Sequence, residues 1–143
     1  MQNKDIKIIL LTRRNLLATY TSLLIAKKTG TFRIINNESQ RTDATVTINY
    51  DKCLNEFQKR KIYHEKALKQ LKDHDLIEVN YEDMVSNLNE YFKEFQRLLG
   101  IDVHPLPIRS IKKETRPLSK VITNYSELRE KLLNTEWEYL FEE

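Results

Sequence analysis

Glycine and cysteine are scarce in this chain, and long apolar runs are missing. The 143 residues include 2 glycines, and Gly30 and Gly100 stand far apart. Phosphate-binding loops need several glycines close together, so the chain contains neither a dinucleotide-binding fingerprint nor a Walker loop. Cys53 is the single cysteine, which excludes an internal disulfide and favours a reducing, cytoplasmic setting. No run approaches the ~20 apolar residues of a membrane-spanning helix, and residues 6–11 are too short for a signal-peptide core.

The composition is typical of a folded domain. Hydrophobic residues make up 40% of the chain and charged residues 31%, and the length predicts a single domain over residues 1–143. Charge is unevenly distributed: residues 1–41 hold 8 Lys/Arg against 2 Asp/Glu, whereas residues 42–143 hold 16 against 19. The basic end either attracts phosphate or sulfate groups or is an ordinary solvated surface.

The N-terminal residues predict a strand, a tight turn and a helix. Residues 7–12, KIILLT, form a short apolar run with β-branched residues, which is typical of a parallel strand buried on both faces. Asn15 is a suitable N-cap for a helix over residues 16–28, and Gly30 is a suitable stop for it.

The rest of the chain alternates between extended and helical patterns. Candidate extended segments are residues 31–35, 45–49 and 76–81, with a polar loop at 36–43, and long helices are predicted over 51–72 and 88–99. The spacings Asn87–Glu90 and Asn124–Glu127 resemble capping boxes, and the second precedes a last helix to about residue 133. Residues 101–123 form a connecting segment. The chain is therefore predicted to have an α/β fold: a parallel sheet of two or three strands with flanking helices.

Arg14 and Ser22, together with Arg13, form the first candidate site. An arginine at the carboxyl end of a parallel strand lies where ligands bind in open α/β sheets, and Ser22 follows two turns into the helix. The forked donors of arginine and the backbone N–H groups of a helix N-terminus suit phosphate. The alternative is a solvated basic turn beside a serine bonded to its own helix.

A family resemblance supports the first interpretation. The stretch KIILLTRRNLLATYTSLLIA resembles the 3′-phosphate-binding segment of sulfotransferases that use 3′-phosphoadenosine 5′-phosphosulfate (PAPS), especially the bacterial nodulation and lipid or carbohydrate branch. In that family an arginine ends a strand, a serine follows eight residues later, and both hold the 3′-phosphate; Arg14 and Ser22 match this spacing. LIEVNYEDMVSNLNEYFKEFQRLLGID and SIKKETRPLSKVITNYSEL resemble later family segments in the same order, so the similarity covers about residues 6–133.

The resemblance implies a partial P-loop-type sheet, a PAPS or adenosine 3′,5′-bisphosphate cofactor, and a carbohydrate or lipid hydroxyl as acceptor. It also implies that the segment with Lys112, Lys113 and Arg116 folds back over the nucleotide, the alternative being a basic surface loop. The family's glycine-containing 5′-phosphosulfate loop and its usual base lie N-terminal to every segment matched here. We therefore expect an N-terminally truncated domain that is inactive as an isolated chain.

Other candidate residues favour structural roles. The acids of Tyr81-Glu82-Asp83 suggest acid–base chemistry or a metal, but a bond from Glu82 or Asp83 to loop backbone or a basic neighbour is the favoured interpretation. The three histidines lack metal-ligand spacing, and Cys53 lacks the flanking features of a nucleophile. The lysines of the helix over 51–72 are interspersed with acids, which indicates a solvated face and no nucleic-acid partner.

Three hypotheses remain open for the function. The chain is one part of an enzyme whose N-terminal half is separate, or a degenerate domain that binds a nucleotide or anion without catalysis. The third hypothesis is an interaction module that keeps only the fold and forms a homo-oligomer.

Overall fold

The computed structural model describes residues 6–32, 43–107 and 116–141, which fall into two compact units. The sheet unit comprises the described residues of Met1–Arg14 and Arg60–Ile108, and the core unit comprises those of Asn15–Lys59 and Arg109–Glu143. The elements are, in chain order, β1 (Lys7–Thr12), α1 (Leu16–Thr29), α2 (Tyr50–Leu71), β2 (Asp75–Asn80), α3 (Tyr81–Ser86), α4 (Leu88–Leu99), α5 (Leu118–Val121), α6 (Tyr125–Leu132) and a short 3-10 helix (Glu138–Phe141). This mixture of helix and parallel sheet confirms the predicted α/β class.

The sheet unit is built on the parallel pairing of β1 with β2. Lys7 lies opposite Asp75 in the register and forms an ion pair with it, and this hydrogen-bonded lysine lowers the pKa of the Asp75 carboxyl. The expected burial of β1 on both faces is wrong, because exposed and half-buried residues alternate along the strand. Ile9 is 39% and Leu11 51% exposed, since the described residues cover only one face of β1.

Two helices of the chain begin or end as the sequence predicts. The side chain of Asn15 accepts a hydrogen bond of 2.8 Å from the Ala18 amide and caps α1. Gly30 and Gly100 end α1 and α4 in the left-handed conformation, each at φ 69°. These positive φ values explain why both positions hold glycine.

Helices begin directly after Asn87 and Asn124, as the sequence predicts, but the side-chain hydrogen bonds expected of a capping box do not form. Neither side chain caps the helix that follows it. Asn87 instead closes α3, because its backbone N–H donates to the carbonyls of Asp83 and Met84. The unpredicted α3 directly precedes α4, and it begins at Tyr81, which was assigned to the strand.

Several extended segments differ from expectation. Of residues 31–35, Thr31 and Phe32 are outside any strand and the others lie outside the described residues, as does most of the predicted loop at 36–43. Residues 45–49 contribute a single parallel bridge from Val46 to Ile122 instead of a strand. The connecting segment 101–123 contains the short helix α5.

The main hydrophobic cluster lies in the core unit. Phe57 and Trp137 pack together in this cluster, with ring centroids 5.2 Å apart. In the described part of the sheet unit, Val79 is the one fully buried hydrophobic residue. There the buried amide of Gln96 hydrogen-bonds both backbone groups of His104, at 3.0 and 3.1 Å, and so fixes the chain after α4. Within the described ranges, no helix combines the length and the apolar character needed to cross a membrane.

Candidate functional site

Charged side chains converge at the carboxyl ends of the two strands. Arg13 and Arg14 follow β1, whereas Glu82 and Asp83 lie in the first turn of α3, directly after β2. Because the strands run parallel and Thr12 pairs with Asn80, both segments leave the sheet at the same edge. Ligands of open α/β sheets bind at this edge.

Arg14 is held through both its backbone and its side chain. Its backbone N–H donates a hydrogen bond of 3.2 Å to Glu82 Oε2, and its Nη2 hydrogen-bonds Asp83 Oδ1. The side chains of Arg14 and Asp83 are 55% and 49% exposed, so water reaches this ion pair. Exposed pairs of this kind contribute only ~0–1 kcal/mol to stability.

Arg13 is more enclosed than Arg14. Its guanidinium carbon lies 4.3 Å from the ring centroid of Tyr81, a cation–π contact. Its Nε lies 3.6 Å from Glu82 Oε1, too far for a hydrogen bond, and this buried nitrogen has no hydrogen-bond partner among the described residues. Glu82 thus lies beside both arginines, through one carboxylate oxygen each.

The cluster confirms the structural role favoured for the Tyr81-Glu82-Asp83 sequence. The two acids bond a loop backbone N–H and a basic neighbour, and their first-turn position also suits negative charge at a helix N-terminus. Two guanidinium groups therefore face two carboxylates, and their formal charges cancel. The sequence around Tyr81 does not identify Arg14 as the basic neighbour, because Arg14 lies 68 positions before Glu82 and 69 before Asp83.

The other predicted ligands lie in the core unit or outside the described residues. Ser22 lies half-buried on α1, which belongs to the core unit, whereas Arg14 belongs to the sheet unit. Arg116 is in the core unit as well, and its Nη2 donates to the Ala44 carbonyl at 3.0 Å. Lys112 and Lys113 lie outside the described residues. The convergence of Ser22, Lys113 and Arg116 with Arg14 stays a prediction.

The surroundings of Cys53 and Tyr20 favour the neutral forms of both side chains. Burial raises the pKa of the Cys53 thiol to about 12, which makes it a poor nucleophile. Burial also raises the pKa of Tyr20, with Cys53 and Glu56 adding to the effect. The Nε2 atom of His64 lies 2.8 Å from Oε1 of Glu78. No group of three or more His, Cys, Asp and Glu in the described part of the chain is placed to hold a metal ion.

Sequence reasoning missed the aromatic platform under Arg13. The signal for this contact in the sequence is the position of Tyr81, directly after β2. A residue there leaves the sheet beside the residue that follows β1, as Arg13 does.

Comparisons with protein-family models, curated proteins and solved structures gave no significant match.

Proposed function

We propose that this chain is sulfotransferase-related and binds a 3′-phosphorylated adenosine nucleotide at the arginines after β1. The observation that carries the proposal is the position of the Arg14 guanidinium. It lies directly beyond a parallel strand, at the ligand-binding edge of the sheet, and more than half of its side chain is exposed. An incoming phosphate can therefore reach it without rearrangement of the backbone.

The order of the described elements supports the proposal. The resemblance requires a strand, an arginine turn and a helix, followed by a second strand, Tyr-Glu-Asp and a helix ending in Leu-Gly. β1 and α1 supply the first set, and β2, α3 and α4 supply the second. The resemblance adds Ser22 as a second ligand of the 3′-phosphate, Lys113 and Arg116 as assisting cations, and a P-loop-type sheet as the wider fold.

The proposed role of the chain is to hold the nucleotide, not to activate the sulfuryl group. Both of its glycines end helices, so neither lies in a strand-to-helix loop that could surround a 5′-phosphosulfate. In an intact enzyme of this kind, an acceptor hydroxyl attacks the sulfuryl group in line, and catalysis is mostly positioning and electrostatics. Arg14 anchors the nucleotide at its far end from that reaction.

Calorimetry with two nucleotides tests the proposal. Adenosine 3′,5′-bisphosphate is expected to bind with a Kd on the order of 0.1–1 mM, and adenosine 5′-monophosphate much more weakly. Arg14→Ala removes a charge-assisted hydrogen bond and should weaken binding by ~10-fold or more. The control is Arg129→Ala, which removes an equally positive, exposed side chain from α6. Equal affinity for the two nucleotides, or no loss in Arg14→Ala, would contradict the proposal.

An interaction domain is the second candidate function, favoured by the exposed apolar residues of β1. Among the described residues, β1 pairs on one side only, with β2. A second copy fits this edge because antiparallel pairing centred on Ile9 would place Ile9 beside its own symmetry mate. The same register would lay the aliphatic stem of Lys7 along Leu11 of the other copy.

A further inference from the structure

The proposed phosphate site is already occupied by carboxylates of the same chain. Asp83 Oδ1 accepts a hydrogen bond from Arg14 Nη2, and Glu82 Oε2 accepts one from the Arg14 backbone N–H. Two positive and two negative groups therefore stand within one cluster. An external anion gains little from the long-range field of a neutral cluster, so its binding depends on displacing a carboxylate.

Asp83 is the carboxylate that an anion would displace. Glu82 lies beside both arginines and also bonds a backbone N–H, which a change of side-chain rotamer at Arg14 does not break. The side chain of Asp83, by contrast, hydrogen-bonds the Arg14 guanidinium, and both side chains are about half exposed. Exposed ion pairs of this kind are weak and exchange readily with other ions.

We infer that Asp83 is a built-in competitor for Arg14, and that phosphomonoester dianions displace it in preference to singly charged phosphodiesters. This inference rests on the proposed function, since it concerns the same arginine. A singly charged anion replaces one carboxylate by an equal charge and gains nothing from Coulombic attraction. A monoester dianion brings a second charge and a third acceptor oxygen to Arg14 and Arg13.

Two adenosine nucleotides that differ only at this phosphate measure the selection. Adenosine 3′-monophosphate carries a dianion at about pH 8, whereas adenosine 2′,3′-cyclic monophosphate carries one negative charge at the same place. The wild-type chain should bind the monoester more tightly. Asp83→Asn should tighten binding of both nucleotides by about two- to fivefold, because neither nucleotide then has to displace a carboxylate.

A matched variant separates competition from simple charge. Glu90→Gln also removes one exposed carboxylate from the sheet unit, together with its ion pair to Lys93. It changes the net charge as Asp83→Asn does, so it reports any nonspecific gain in anion attraction. Circular dichroism checks that the variants fold, and Asp83→Ser gives a second substitution that removes the competing charge.

Each outcome decides the inference. Tighter binding in Asp83→Asn and Asp83→Ser, but not in Glu90→Gln, supports competition. Unchanged binding overturns it, and weaker binding also overturns it because Asp83 would then position Arg14 for the ligand.

If the wild type binds and Arg14→Ala abolishes binding while Asp83→Asn gains nothing, the inference fails and the proposed function stands. If Asp83→Asn exposes binding that the wild type lacks, the inference stands while the proposed function fails. If no variant binds either nucleotide, both fail.

Discussion

The side-chain amide of Asn124 hydrogen-bonds both backbone groups of Ile48. Asn124 Nδ2 donates to the Ile48 carbonyl at 2.9 Å, and Asn124 Oδ1 accepts from the Ile48 N–H at 2.9 Å. Ile48 is buried in the core unit, so no bulk water replaces these bonds. The neighbouring bridge between Val46 and Ile122 continues the same backbone contact, with bonds of 3.0 and 2.9 Å.

Asn124→Ala should destabilise the core unit by about 2–4 kcal/mol, because it leaves a buried donor and a buried acceptor unsatisfied. Urea unfolding followed by circular dichroism measures the loss. The control is Asn55→Ala, which changes an exposed asparagine on α2 and should alter stability by less than ~0.5 kcal/mol. Equal stability of the two variants would show that Asn124 is not needed to join these segments.

Phe57→Ala should cost about 3–5 kcal/mol, because Phe57 is completely buried against Trp137 and its removal leaves a cavity. Trp137 is the single tryptophan of the chain, so its fluorescence follows unfolding of the core unit. Phe32→Ala, at a phenylalanine that is 69% exposed, should change the unfolding midpoint little. A small effect of Phe57→Ala would contradict the packing described.

Stability should fall as the pH rises from about 9 towards 12. Burial raises the pKa of Cys53 from 9.0 to about 12 and raises the pKa of Tyr20 above 10.0, so in this window the unfolded chain binds fewer protons than the folded one. Cys53→Ala should reduce the slope of stability against pH. The slope is compared, not the absolute stability, because the variant also leaves a small cavity. An unchanged slope would show that the thiol does not contribute.

The isolated chain should show no sulfuryl transfer. Losing one preorganised donor at an oxyanion typically costs ~10²–10³ in rate, and the 143 residues contain no loop with several glycines that could surround a 5′-phosphosulfate. Incubation with labelled PAPS and a panel of hydroxyl acceptors is the measurement. Reproducible transfer that disappears in Arg14→Ala would refute this expectation.

The chain should self-associate through β1. Leu11→Lys should weaken association by about tenfold, because it places a charge in the apolar contact. Sedimentation over a wide concentration range measures this, and Ile62→Lys, at another exposed apolar residue of the sheet unit, serves as the control. A monomer at every concentration would exclude the interaction between copies.

Local sequence determined the elements whose causes lie within a few residues. Asn15 caps α1 because its partner, the Ala18 amide, is three positions away, and Gly30 and Gly100 end their helices because glycine has no Cβ to strain a positive φ. Short apolar runs predicted the two strands, and helical spacing of apolar residues predicted the long helices. The alternation of strands and helices along the chain predicted that the strands pair in parallel.

Tertiary structure alone decided how the same residue types are used. Asn124 has a capping-box spacing, yet its side chain binds Ile48, 76 positions away, and does not cap α6. Arg14 follows a strand, but its partner Asp83 is determined by the register of β1 on β2. Local propensity reaches only about one helical turn along the chain, whereas these contacts join residues 76 and 69 positions apart, so they depend on which segments pack together in the folded chain.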